Sequence, residues 1–267
     1  MRRPFVAGVA VAALGLAWIC PAYGLAIIIA DAGVTVQTQT GLLSEFNHGS
    51  ARHGSVHAVE TKCGSTPGFT PGTHCGDAEA GASLRGGSLS ASAGVFGRAA
   101  STGLAQLYDT LIYHSIVDQT VNLDVVIDGS LSGNAFAFFS IGVNGPEFEP
   151  SVTLTGNNRV SVAFNVPVAF RYQVPLHMSL EAAAGFGGPG SADFSHTATV
   201  FMELPAGVEF VGSESGEFLA DRTDAFLRPG GLPPLPGATS VPGPSTLSLL
   251  SLALGVSGIK LIRRRRA

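Results

Sequence analysis

Hydrophobic and polar residues alternate most regularly between residues 158 and 182. Large apolar or aromatic side chains occupy eight consecutive even positions, namely Val160, Val162, Phe164, Val166, Val168, Phe170, Tyr172 and Val174. The odd positions between them carry small, polar or charged residues and proline. A period of two over this length predicts extended structure with one buried face. Pro167 cannot donate to a β-ladder, so it predicts an edge, a bulge or a break between two strands.

A second alternation places apolar residues at every other position from Val121 to Ile127 and ends at the turn signal Asp128–Gly129. Shorter strands are expected at residues 131–143, 151–155, 194–202 and 207–211, with glycine, asparagine and proline in the gaps. Many short strands at this spacing predict a mainly β protein, with an antiparallel β-sandwich or jelly-roll body.

Two segments allow two interpretations each. Apolar residues between Leu104 and Ile116 recur at a helical spacing, yet Leu111–Val117 fits a strand equally well. We expect a strand there, with room for a short helix before it, and a helix over the whole segment is the alternative. Residues 76–103 are rich in Gly, Ala and Ser, which is compatible with a flexible linker or with small-residue strands packed tightly under a neighbouring sheet.

Charge is distributed very unevenly along the 267 residues. All 19 acidic residues lie between Asp31 and Asp224, whereas seven of the 15 basic residues lie near the two termini. Residues 25–242 therefore carry eight basic against 19 acidic side chains, a formal charge of −11. Nucleic-acid binders need clustered Lys and Arg, so this composition argues against DNA or RNA as a partner.

The two termini have the patterns of export and anchoring segments. A basic start, an apolar stretch at residues 5–19 and a small-residue exit predict a secretory signal helix. Near the other end, Leu247–Ile262 provides 16 mostly apolar residues, about 24 Å of helix and a marginal transmembrane span. The arginines that follow should stay in the cytoplasm by the positive-inside rule, so the body is expected on the far side of the membrane.

The C-terminal segment resembles the PEP-CTERM sorting signal of Gram-negative bacteria. The resemblance is carried by the motif Val241, Pro242, Gly243, Pro244 and Ser245, by the apolar stretch, and by a cytoplasmic stop of Arg263, Arg264, Arg265 and Arg266. Gly243 stands where the family usually has Glu. The resemblance implies that an exosortase, a membrane-embedded cysteine protease, recognises the tail at the inner membrane.

Short motifs in the body, Ala93–Ala100, Asp128–Ser132 and Gly190–Thr199, resemble β-rich PEP-CTERM proteins. The resemblance implies a structural or adhesive, non-enzymatic role in the cell envelope or an exopolysaccharide matrix. The expected layout is a signal peptide (residues 1–26), a β-sandwich body (27–228, with a Gly/Ser/Ala-rich first part at 27–103 and the main strands at 104–228), a Pro/Gly linker (229–240) and a sorting and anchor segment (241–267).

Cysteine and histidine are the first residues to consider for chemistry. With Cys20 inside the signal segment, Cys63 and Cys75 are expected to form a disulfide in an oxidising compartment. The imidazoles of His48, His53, His57 and His74 lie near these cysteines in sequence and suit Zn²⁺ or Cu²⁺. Their spacing matches no standard site, so we expect solvated loop histidines, with no metal and no cofactor.

Two further groups suggest enzymatic chemistry only weakly. Asp193–His196 contains acid, hydroxyl and imidazole groups, but Ser195 and His196 would point to opposite faces of a regular strand. Glu147 and Glu149 lie between prolines and fit turn acids better than a glycosidase pair. We therefore expect no catalytic residues and rank a secreted hydrolase last.

The alternative function is a carbohydrate-binding module that acts on exopolysaccharide. Such a module needs exposed aromatic rings, and Tyr108, Tyr113 and Tyr172 are the tyrosines that the body offers for stacking.

Overall fold

A computed structural model describes residues 26–38, 41–66, 72–143, 151–185 and 188–221. All regular secondary structure in these ranges is β-strand, and every strand pairing is antiparallel. No helix in the described ranges is long and apolar enough to span a bilayer. The predicted terminal helices, the linker and the sorting segment lie outside the described residues.

The described chain forms fourteen strands. In chain order they are β1 (Ile27–Thr38), β2 (Gly41–Ala51), β3 (Ser55–Thr66), β4 (Gly72–Ser83), β5 (Ser88–Phe96), β6 (Ala99–Ser115), β7 (Gln119–Ile127), β8 (Ser130–Gly133), β9 (Ala135–Val143), β10 (Ser151–Leu154), β11 (Asn158–Val166), β12 (Ala169–Gly185), β13 (Gly190–Glu203) and β14 (Val208–Ser213).

The strands assemble into two seven-stranded sheets whose inner faces share one hydrophobic core. Sheet A has the order β10-β9-β12-β6-β1-β2, and sheet B has the order β11-β7-β13-β5-β4-β3. β14 pairs with the end of β6 that β1 does not reach, and β8 pairs with the end of β13 that β7 does not reach.

The two sheets approach each other closely in a segment that is rich in small residues. Gly103 on β6 faces sheet B, and a Cβ added there would lie 2.3 Å from the Glu79 carbonyl oxygen. The Ser101 hydroxyl donates a hydrogen bond of 3.0 Å to the Gly94 carbonyl oxygen. Residues 76–103 are therefore mostly strand, in β4, β5 and the start of β6, and not a flexible linker.

The other ambiguous segment is also extended. Leu104–Ser115 belongs to the 17-residue strand β6, with no helix before it. Its alternating burial places Leu107, Leu111 and Tyr113 in the core. The expectation of a strand is confirmed. The apolar residues imitate a helical spacing because they occupy both faces of one long strand.

The long alternation at residues 158–182 forms β11 and β12, and the chain breaks between them at Pro167 as predicted. The expectation of one continuous buried face is wrong at Val168 and Phe170, which are both exposed. The register between β12 and β6 shifts between Ala169 and Tyr172. An irregularity of this kind redirects side chains, and it lets Phe170 point into solvent.

Residues 214–221 form a segment, here called the closing segment, that lies over the β4–β5 turn. Phe218 and Leu219 are buried in the core, and the Leu219 N–H donates to the Leu84 carbonyl oxygen at 3.1 Å. Arg85 donates from both Nε and Nη2 to the Asp221 carboxylate, at 2.9 and 2.7 Å to Oδ1. The C-terminal end of the described chain is therefore bound to the β4–β5 turn of sheet B.

Candidate functional site

The outer face of sheet A carries a group of accessible rings and polar side chains that the strand register brings together. Register places Tyr108 of β6 opposite His177 of β12, and Leu104 of β6 opposite Glu181 of β12. The next strand, β9, places Phe138 opposite Glu181. All of these side chains are partly or largely exposed, because their strand neighbours on either side point into the core.

Tyr108 and His177 form a stacked pair across adjacent strands. Their ring centroids lie 4.2 Å apart and the rings are inclined by only 12°. Cross-strand pairs of rings stabilise a sheet and hold each other in one orientation. The pair is therefore a preformed aromatic element on the surface.

A second aromatic pair lies on the same face. Phe136 and Phe138 of β9 are exposed, with ring centroids 5.4 Å apart and an interplanar angle of 54°. Between the two aromatic pairs runs a polar row in which Gln106, Ser179 and Ser140 are successive neighbours across β6, β12 and β9. The face thus alternates apolar rings with amide and hydroxyl groups.

Acidic groups complete this surface. Burial among its neighbours raises the pKa of the Glu181 carboxyl above its usual range. Towards the β2 edge, His48 Nδ1 lies 2.5 Å from Asp31 Oδ1. A ring-bearing face with amide, hydroxyl and carboxyl groups can contact a polar ligand through both its apolar and its hydroxyl surfaces.

Of the three tyrosines considered for sugar stacking, only Tyr108 lies on this face. Tyr113 is fully buried, donates its hydroxyl to Met202 Sδ at 3.4 Å, and has a pKa raised well above its usual value by burial. Tyr172 packs partly buried against the core. Tyr113, one of the three tyrosines that the sequence offered, is therefore not accessible for stacking on a sugar.

Sequence reasoning did not single out Phe136, Phe138, His177 or Glu181. A signal was present for the phenylalanines, because Ala135–Phe139 has no polar position and so predicts an apolar outer face on that strand. No comparable signal marks His177, since its position beside Tyr108 depends on pairing between strands distant in sequence.

The histidines near the cysteines do not come together. His48 pairs with Asp31, and His57 Nε2 lies 2.8 Å from Glu79 Oε1. His53 lies 3.7 Å from Glu217, while His74 accepts the Arg98 N–H through Nδ1 at 3.0 Å. The expectation of solvated loop histidines is wrong at His74, which is buried on strand β4. Within the described ranges, no three His, Cys, Asp or Glu residues gather in a way that would hold a metal ion.

Cys63 and Cys75 are directly opposite each other on β3 and β4 and form a disulfide, with a Cα–Cα distance of 4.2 Å. The pairing agrees with the sequence expectation. The bond links β3, the edge strand of sheet B, to its neighbour β4, a position suited to stabilising the sheet edge.

The remaining sequence candidates contribute local structure or lie outside the described part. Asp193 Oδ1 accepts hydrogen bonds from the Ser195 hydroxyl at 2.6 Å and from the Ser195 N–H at 3.1 Å, beside a register shift in β13. The side chain of His196 and the residues Glu147 and Glu149 lie outside the described part of the structure.

The predicted sorting motif, Val241 to Ser245, and the arginine stop, Arg263 to Arg266, also lie outside the described residues. Neither the comparison with protein-family models nor that with curated proteins finds a match to this chain.

Proposed function

We propose that the chain is an exported, non-enzymatic structural or adhesive protein of the cell envelope or extracellular matrix. In this proposal its β-sandwich body crosses the inner membrane behind a signal peptide. A PEP-CTERM-like tail then holds it there until an exosortase acts on the tail.

The observation that carries the proposal is the Cys63–Cys75 disulfide in an acidic, two-sheet body. Disulfides persist in oxidising compartments outside the cytoplasm, which supports export. The basic and apolar segments at both termini support the same direction of transport.

A non-enzymatic role is supported by how the polar side chains are used. His48, His53 and His57 each face a separate carboxylate, and Ser195 bonds to Asp193 two residues away. These contacts stabilise strands and turns. The imidazole and hydroxyl groups that could take part in catalysis are therefore engaged in holding the fold, which supports a non-enzymatic role.

The mass of the exported protein tests this proposal. We expect intact-mass spectrometry of envelope material to show a C-terminus near Pro244, with the arginine cluster removed. The variant Gly243→Glu restores the residue usual in the sorting signal and should increase the processed fraction. A mature protein that keeps its Arg-rich tail in both variants would contradict exosortase processing.

A second candidate function, carbohydrate binding by the outer face of sheet A, is favoured by the Tyr108–His177 stack and the neighbouring Glu181. Planar rings pack against the apolar face of a sugar, while amide and carboxyl groups bond its hydroxyls. The acidic net charge of the body favours a neutral or basic polysaccharide over an acidic one.

Affinity electrophoresis in gels that contain purified exopolysaccharide would test this binding. We expect retardation of the wild type and at least about a tenfold weaker interaction for Tyr108→Ala, corresponding to about 1.4 kcal/mol. Phe96→Ala is the matched control, because Phe96 is an exposed ring on sheet B. Equal retardation of the two variants would exclude the outer face of sheet A as the binding surface.

A further inference from the structure

Three connections between strands converge at one end of the two-sheet body. The β6–β7 connection contains Ile116 and Val117, and the β11–β12 connection contains Val168, whose N–H donates to Asp118 Oδ1 at 2.7 Å. The β13–β14 connection joins them, since the Ile116 N–H donates to the Gly207 carbonyl oxygen at 3.1 Å. These bonds hold the three connections together as one structural unit.

Large apolar side chains project from this unit and from the adjoining start of β12. Ile116 is 68% exposed, Val117 38%, Val168 60% and Phe170 87%. We call these four residues the apolar tip. The Phe170 ring packs against the ring of His114 on β6, with a centroid distance of 5.6 Å. Four exposed apolar side chains at one end of the body indicate an interaction surface, because single exposed apolar residues are normal but groups of them are not.

The backbone around the apolar tip fixes this exposure. The register between β12 and β6 shifts between Ala169 and Tyr172, so Phe170 does not follow the buried parity of Val174 further along the strand. Asp118 and Gly207 hold the turns on either side. The hydrogen bonds at Asp118 and Gly207 therefore hold the backbone in the conformation that exposes these side chains.

The chemistry around the tip fits a lipid surface. The charged groups beside it include Asp118, which already accepts the Val168 N–H, the exposed Arg171, and Glu209, which lies 3.8 Å from His114. Arg171 follows Phe170 directly and can pair with lipid phosphates while the ring enters the interfacial region. Side chains at one end of the sheets, on the connections and at the start of β12, can enter a bilayer without bringing the flat sheets against it.

The length of chain between the described body and the predicted anchor is also compatible with contact between the apolar tip and a lipid bilayer. Twenty-five residues separate Asp221 from the apolar stretch that begins at Leu247, a reach of at most about 85 Å. The longest strands of the body have 17 residues, or about 56 Å. A tail anchored in the membrane would therefore allow the apolar tip to reach the same membrane.

We propose that the apolar tip inserts into the interfacial region of a lipid bilayer and gives the body a second membrane contact besides its tail. This inference rests on the proposed membrane tethering of the exported chain. The occupant is the lipid itself, since the tip combines aliphatic and aromatic side chains with one adjacent cation.

Tryptophan fluorescence on the full chain tests the insertion. Trp18→Phe removes the natural tryptophan, and Phe170→Trp or Ile116→Trp then places a single reporter on the tip. Vesicles of phosphatidylethanolamine and phosphatidylglycerol with brominated acyl chains quench only indoles that reach the lipid. We expect a blue shift and at least about threefold stronger quenching than for the control Phe96→Trp.

Phe96 is a fair control because it is 66% exposed and lies at the end of β5 that pairs beside Gly190, away from the β13–β14 connection. Equal quenching of the reporters at 170 and 96, or none at 170, would overturn insertion. A blue shift that needs no vesicles and grows with protein concentration would identify a second copy as the occupant and would also overturn it.

Failure of this proposal is distinguishable from failure of the proposed function. Co-sedimentation of all variants with the vesicles reports tail anchoring, whatever the reporter at the tip shows. Co-sedimentation without quenching at 170 would leave tethering intact and reject the tip. Loss of co-sedimentation in all variants would reject tethering and, with it, the basis of the tip proposal.

Discussion

At the scale of single residues, Gly103 shows why the first half of the body is built from small side chains. Its Cα faces backbone carbonyl oxygens of sheet B, with Glu79 O at 2.3 Å and Ser92 O at 2.8 Å from an added Cβ. Backbone atoms held in a sheet cannot move aside as a flexible side chain can. The absence of a side chain here therefore sets the distance between the sheets.

We predict that Gly103→Ala lowers the free energy of unfolding by about 2–3 kcal/mol, because the added methyl must push two sheets apart. Urea unfolding followed by circular dichroism measures it. Gly49→Ala is the control, since an added Cβ there would meet its nearest atom at 3.5 Å, an ordinary contact. A loss of equal size in both variants would contradict the explanation.

Glu181 gives a residue-scale prediction about pH. Its folded-state pKa is raised by burial, so folding favours the protonated carboxyl. The folded state is therefore penalised as pH rises above the pKa of the unfolded chain, about 4.3. Glu181→Gln should raise Tm by about 2 °C near pH 7 and leave it unchanged near pH 3. A thermal shift that is the same at both pH values would show that ionisation is not the cause.

At the scale of elements, the disulfide fastens β3, the edge strand of sheet B, to β4. Cys63 and Cys75 enclose a loop with a sequence separation of 12 residues, and their strands pair continuously from Ser55 to Thr66. The bond restricts the unfolded chain and holds the hairpin closed when the edge strand frays.

We predict that the double variant Cys63→Ser, Cys75→Ser loses about 3 kcal/mol of stability. The wild type in reducing agent should lose the same amount, and reducing agent should leave the double variant unchanged. Guanidinium unfolding with and without dithiothreitol measures the difference. A double variant as stable as the oxidised wild type would show that the hairpin needs no covalent link.

Much of the element pattern was predictable from the sequence. The alternation at Val121–Ile127 and the break at Pro167 correspond to β7 and to the boundary between β11 and β12. Phe170 was assigned to the buried face because an irregularity that changes parity leaves no mark in a run of alternating residues. The Tyr108–His177 pair depends on the register of β6 and β12, which lie far apart in sequence, so no local pattern encodes it.

At the scale of the whole molecule, the closing segment joins the end of the described chain to sheet B. Phe218 and Leu219 enter the common core beside Leu84, and the Arg85–Asp221 pair lies on the surface above them. Surface ion pairs contribute little, so the two buried side chains provide most of the attachment.

We predict that Phe218→Ala lowers the free energy of unfolding by about 3 kcal/mol, whereas Asp221→Asn leaves it almost unchanged because the ion pair is exposed. Thermal unfolding of both variants gives the comparison, with limited proteolysis to show whether the closing segment detaches before the sheets unfold. A larger effect for Asp221→Asn would mean that the ion pair carries the attachment.

The position of the closing segment has a mechanical consequence for a protein held by its tail. A pulling force applied beyond Asp221 reaches the body at the Arg85–Asp221 pair and then at Leu219, before it reaches the ladder between β14 and β6. The short segment would peel away first and lengthen the tether by a few residues. If the proposed tail holds the chain at a membrane, the two sheets would carry load only after this extension, and the closing segment would protect their pairing from brief pulling forces.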